Sequence, residues 1–94
     1  MRNGSPHLHA SHPRIVKRLK RAEGHLHSIL AMFQEERSCV ELAQQLHAVE
    51  KAVANAKREL IHDHIEHCLE EPVVQNSEAA RASLAELKTL TKYL

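Results

Sequence analysis

CVELAQQLHAVEKAVANAKRELIHDHIEHC, residues 39–68, is the stretch whose reading decides the fold. Leu42, Leu46, Val49, Val53, Ala56 and Leu60 alternate steps of four and three, the seam of an amphipathic helix. No Gly or Pro interrupts it. Ser38 with Glu41 forms the S-x-x-E pattern of a capping box, which predicts a helix start at Cys39. At about 100° per residue, Cys39, His64 and Cys68 fall in one narrow sector beside the apolar seam. Cys39 and His64 are nevertheless 25 positions apart, about 38 Å along a straight helix. One chain cannot bring them together. An antiparallel copy crossing near Val53 can, because Cys39 of one copy then lies beside His64 and Cys68 of the other. The pattern therefore predicts two sites per dimer, each shared between chains and related by a two-fold axis.

The rest of the composition agrees with a helical oligomer. The 94 residues include one Phe, one Tyr and no Trp, so packing rests on Leu, Ile, Val and Ala, and a chain of this size buries a limited core alone. No apolar run approaches the length of a membrane span and no signal-peptide pattern opens the chain, which makes a cytoplasmic protein without membrane contact the expectation. In a reducing compartment two cysteines beside histidines point to metal or redox chemistry rather than a structural disulfide. Net charge is only +1, but it is unevenly placed. Residues 1–27 hold six Lys or Arg against one Glu, whereas residues 61–78 hold five acids and no Lys or Arg. A basic end attracts nucleic acid even where the total charge does not.

Taken in order, residues 1–12 read as a mobile His-rich arm carrying His7, His9 and His12, and residues 13–94 as a single helical domain. Pro13 suits the first turn of a helix running to about Glu36, with Ile15, Leu19, Ala22, Leu26, Ile29 and Phe33 as its buried stripe. Arg14, Lys17, Arg18 and Arg21 share an adjoining face, which is either a solvated surface or a nucleic-acid contact. Gly24 costs this helix about 1 kcal/mol relative to Ala, and a close backbone approach would explain it. Residues 35–38 make a short turn into the long helix, which ends near Pro72. A third helix from about Ser77 places Ala80, Leu84, Leu87, Thr91 and Leu94 on one side.

His64 and Cys68, spaced i and i+4, project from one helical face and can bind one ion. Alone that spacing is a weak signal, since a cysteine near a helix end is often a small buried hydrophobe; Cys39 in the same sector strengthens it. His67 flanks the sector, within reach of Asp63, and can support a ligand from behind. His62 faces nearly the opposite way, and His25, His27 and His47 have no partner visible in sequence. No phosphate loop, nucleophile elbow or zinc-protease motif occurs, and a nearly all-helical chain of this size offers little substrate pocket. The sequence reads as a non-enzyme.

With these residues in view the chain resembles the CsoR/RcnR family of small metal-responsive repressors, over about residues 12–94. The resemblance rests on RLKRAEGHL at 18–26, Cys39, AQQLHAVEKAV at 43–53 and LIHDHIEHC at 60–68. Cys39, His64 and Cys68 match the family's Cys–His–Cys sensor triad in spacing and order. The resemblance implies an all-α, three-helix protomer, an antiparallel dimer, and a tetramer of two dimers. It also implies binding of double-stranded operator DNA without a helix-turn-helix, through basic residues of the first two helices. Arg18 and Arg58 fall at matching basic positions. The charge pattern adds Arg14, Lys17, Arg21 and Lys57, while Asn55 stands where some members carry a basic residue.

Ligand choice follows from departures within the family. Ser38 precedes the first Cys, where a copper-sensing relative can carry Tyr. Glu86 stands near the place of a family acid that supports the metal ligands from the third helix. His7 lies 32 positions before Cys39, as the amino-terminal His ligand does in the nickel- and cobalt-sensing branch. The set His7, Cys39, His64 and Cys68 thus resembles a nickel sensor. Two thiolates and one imidazole suit trigonal Cu(I), an added nitrogen suits square-planar Ni(II), and Zn(II) can take all four tetrahedrally. The expectation is Ni(II) or Co(II), with Cu(I) next. A thiol or persulfide sensor on the same fold would use Cys39 and Cys68 without His64; the formaldehyde-sensing branch is disfavoured by Arg2, where that branch has a reactive terminal Pro. A metal buffer or chaperone, from another class, would not require the basic face.

Overall fold

The computed structural model describes residues 11–70 and 78–94, the side chains of 68–70 excepted. Three helices follow one another: α1 (His12–Gln34), α2 (Cys39–Glu70) and α3 (Glu78–Leu90), with a 3₁₀ turn at Thr91–Tyr93. The all-α, three-helix protomer is as expected. Helix α1 begins at His12, one residue before Pro13. α1 and α2 pack as an antiparallel hairpin: Arg14 meets Glu59 near the open end, and His25 meets Gln45 halfway towards the turn.

Local chemistry fixes both sides of that turn. At the end of α1 the Arg37 N–H donates to the Met32 carbonyl and the Glu36 N–H to the Phe33 carbonyl, both at 3.1 Å. These are the paired bonds of a Schellman ending, and Glu36 takes its left-handed position with φ 59°. Carrying a Cβ there costs roughly 1 kcal/mol. At the start of α2 both halves of the capping box are made. Ser38 Oγ accepts from the Glu41 N–H at 3.1 Å, and Glu41 Oε1 accepts from the Ser38 N–H at 3.3 Å.

The Arg37 guanidinium reaches the same carboxylate at 2.9 Å. The hydrogen bond from Arg37, then that from the Ser38 backbone and the Arg37 charge, hold the Glu41 carboxyl down at about 2, from an ordinary 4.5. A depressed carboxyl stabilises the folded state above its unfolded value and loses that contribution as pH falls through its folded value. The capping contribution is therefore complete above pH 4.5 and fades towards pH 2. Thermal melts followed by circular dichroism at stepped pH should show this part of the acid destabilisation missing in Glu41→Gln. An identical pH profile for both proteins would refute the assignment.

The apolar seams each split into two rows of seven-residue repeat. Ile15, Ala22 and Ile29 of α1 are buried, as are Leu42 and Ala56 of α2, with Val49 half-buried between them. The other rows, Leu19–Leu26–Phe33 and Leu46–Val53–Leu60, remain 39–53% exposed. The expectation that all of the first stripe is buried is thus corrected. A two-helix hairpin offers each seam one neighbour, so only the row facing that neighbour is covered. Ile61, 1% exposed, joins the core although the four-three alternation leaves it out.

Helix α3 contributes no fully buried residue, and its Leu84 is 58% exposed. The expected face from Ala80 to Leu94 breaks at Thr91. There the chain tightens from the α to the 3₁₀ advance and turns the last residues off that face. The Thr91 hydroxyl donates to the Lys88 carbonyl at 2.6 Å. Among the described residues no atom lies within 4 Å of the place a Gly24 Cβ would occupy, so no close approach among them accounts for this glycine. The Cα trace extends over 59 × 28 × 15 Å.

Candidate metal centre and nucleic-acid interface

The unbroken run of α2 sets the metal chemistry. Cys39 is its first residue, an exposed free thiol, and His64 lies seven turns on, about 38 Å away at 1.5 Å per residue. Among the described residues no three His, Cys, Asp or Glu converge within one chain. His7 and the Cys68 side chain, both expected ligands, lie outside the described residues.

His64 itself is set up from behind. Its side chain is only 15% exposed, and α3 covers its Nε2. The Ser83 carbonyl stands 3.5 Å away, at long hydrogen-bond range, and Glu86 Oε1 at 3.9 Å. With the Nε2 proton directed at these two oxygens, Nδ1 carries the lone pair. Metal-binding imidazoles are oriented this way, by a carbonyl or carboxylate on the second ring nitrogen, which also raises the basicity of the ligating one. An oriented imidazole at one end of α2 and a free thiol at the other are donor types that transition-metal ions take, but within one chain they stand too far apart to share an ion. Glu86, on α3, is the acid placed nearest this ring nitrogen. His67 is half-buried on the same helix.

The basic residues fall into two groups. Arg14, Lys17, Arg18 and Arg21 line an open cleft of about 530 Å³ between α1 and α2, together with Ala22, His25, Ala52 and Asn55. Lys57 and Arg58 are exposed outside that lining, but Arg58 donates to the Asn55 side chain and is so tied to the cleft. His25 Nε2 and Gln45 Oε1 lie 2.5 Å apart across the hairpin. Sequence reasoning left His25 without a partner and assigned no role to Glu59, which meets both Arg14 and Arg18. Both follow from pairing the helices antiparallel: residues whose numbers sum to about 70 lie opposite, a register the sequence periodicity alone leaves open.

A family model described as "Metal-sensitive transcriptional repressor" matches residues 11–93. The chain belongs to this family, the CsoR/RcnR repressors. Among curated relatives of this repressor family, the copper-sensing transcriptional repressor CsoR of Mycobacterium ulcerans (strain Agy99) is 33% identical over 78 residues. That match spans 83% of this chain and 65%, just under two thirds, of the relative's length. The copper-sensing repressor RicR of Mycobacterium tuberculosis (strain ATCC 25618 / H37Rv) is 33% identical over 71 residues, covering 76% of this chain and 74% of that one. Among solved structures, the nickel-responsive transcriptional regulator InrS superposes with a TM-score of 0.73 at 32% identity, covering 86% of this chain and 89% of InrS. The structural likeness thus covers 86% of the chain, and none of the described helices is long and apolar enough to cross a membrane.

Proposed function

We propose that the protein is a metal-responsive transcriptional repressor that binds operator DNA when metal-free and releases it on binding Ni(II) or Co(II) at a Cys/His site shared between subunits. The observation that carries this reading is the oriented His64 at one end of an unbroken α2 with the free Cys39 thiol at the other. An antiparallel second copy would place each beside its complement. The exposed rows Leu46–Val53–Leu60 and Leu19–Leu26–Phe33 supply the apolar surface for a dimer and, by a second contact, a tetramer. The cleft lined by Arg14, Lys17, Arg18 and Arg21 supplies cations for the phosphate backbone, with Lys57 and Arg58 beside it. The bound metal would be held by Cys39, His64 and Cys68, with His7 as the fourth ligand in the nickel form. His67 and Glu86 would support the site from behind.

A second reading, Cu(I) at the three-coordinate Cys–His–Cys set, is favoured by the copper-sensing names of the curated relatives. Gel-shift titration against DNA from upstream of the protein's own coding sequence, with each metal in turn, tests the function directly. His7→Ala should weaken Ni(II) at least tenfold while sparing Cu(I), which the remaining three ligands satisfy. Equal loss for both metals, or none for nickel, would remove the nickel reading. Absence of any metal effect on DNA binding would remove the sensor reading itself.

A further inference from the structure

The cleft is lined by four cationic side chains and no acid, yet two of those cations are already engaged. Glu59, on α2, accepts a hydrogen bond from Arg14 Nε at Oε2, and its Oε1 lies 3.4 Å from Arg18 Nε. Its side chain is only 19% exposed. Oε1 is sealed from solvent and has no hydrogen-bond partner among the described residues, so the carboxylate is largely desolvated with half its acceptor capacity unmet there. The two arginines stand one helical turn apart and are 65% and 47% exposed, so their guanidinium groups reach water while their Nε atoms turn inward. The arrangement holds two planar donors around one anion, as a phosphate group would.

We propose that Glu59 is an internal competitor for DNA phosphate, a carboxylate latch on Arg14 and Arg18 that sets both the affinity of the cleft for DNA and its response to salt. The proposal rests on the reading of the cleft as the DNA surface. A phosphate that takes the arginines must displace Glu59, leaving a carboxylate that recruits a cation from solution. DNA releases about 0.9 cation for each phosphate neutralised, and the uptake at Glu59 offsets about one of these. The latch therefore lowers affinity and also makes it less sensitive to ionic strength. Glu59→Gln keeps the side-chain shape and removes the charge. Glu59→Asp keeps the charge and shortens the reach by one methylene, too little to span both arginines.

The test is a fluorescence-anisotropy titration of the intact oligomer with double-stranded upstream DNA across a salt series. Helix content and oligomeric mass are matched to the parent beforehand. Glu59→Gln should bind about tenfold tighter at low salt, with the log–log salt slope steeper by about one. Glu59→Asp should tighten binding in the same direction although net charge is unchanged. Both gains should vanish in an Arg14→Ala, Arg18→Ala background, and Glu23→Gln, on the far side of α1, should change affinity less than about twofold. A gain that survives without the arginines, or one matched by Glu23→Gln, would reduce the effect to general charge and overturn the latch. Unchanged affinity and slope in Glu59→Gln, with binding weakened in the double arginine variant, would overturn the latch and leave the DNA surface standing. Parent-like binding by the double arginine variant would overturn both. Should Glu59→Gln not fold, the Glu59→Asp arm alone decides: no gain there rejects the proposal.

Discussion

Val53→Asp is expected to reduce the protein to a monomer at micromolar concentration, while the parent is a dimer or tetramer even without metal. Val53 is the midpoint of the exposed row on α2 and 46% exposed in the single chain. It is also where an antiparallel copy must cross for Cys39 to reach His64. Full burial of an aliphatic side chain contributes about 1.5–3 kcal/mol, and in a two-fold interface Val53 would meet its own copy while each Leu46–Leu60 contact would occur twice. The substitution removes the central pair and sets two carboxylates against each other in an apolar seam, where a charge without a partner is strongly disfavoured. Size-exclusion chromatography with light scattering gives the mass directly. A parent-sized oligomer would show that the interface lies elsewhere, and the shared metal site would fall with it.

His64→Ala is expected to bind metal loosely through the two thiolates yet to keep its grip on operator DNA when metal-saturated. Metal binding displaces protons from thiols, so affinity should rise with pH in parent and variant alike. At the proposed shared site, however, only the parent would tie α2 of one copy to the imidazole that lies against Ser83 and Glu86 of α3. Release requires that metal bind the DNA-free form more tightly, a coupling of about 1–3 kcal/mol, or roughly 5- to 150-fold in affinity. By reciprocity, DNA must weaken metal binding by the same factor. In His64→Ala the metal effect on DNA affinity should shrink to within about twofold. If saturating metal still lowers DNA affinity as in the parent, the thiolates alone carry the coupling and His64 does not.

The two ends of α2 were legible in sequence because their chemistry is local. Ser38 and Glu41 are three residues apart, and both bonds of the capping box form as their spacing requires. The angular agreement of Cys39 and His64 likewise depends only on helical periodicity, which the uninterrupted α2 preserves. What sequence did not reveal depends on the register between helices. An alternation of four and three marks a seam but does not say which of its two rows a hairpin covers, so periodicity alone buries Leu19, Leu26 and Phe33 along with the rest, whereas the hairpin leaves them partly exposed. Glu59 reads as one more charge on a polar face until the antiparallel pairing sets it against Arg14 and Arg18. The approach of Glu86 to His64 depends on how α3 folds back on α2, which helical periodicity does not encode.

A Cα trace 15 Å across its thinnest direction is only about two helices deep, since the Cα cylinder of one helix is about 4.6 Å wide and packed axes lie about 8–10 Å apart. Such a slab has little interior beyond the seam between its helices, and the rows Leu19–Leu26–Phe33 and Leu46–Val53–Leu60 stay partly exposed in the single chain. Association of the kind proposed would make stability a function of how much protein is present: by mass action, melting temperature should climb with total concentration. Assays that titrate DNA at nanomolar protein and metal at micromolar protein would sample different fractions of assembled molecules. The abundance of the repressor in the cell thereby becomes a variable of its response, alongside the metal.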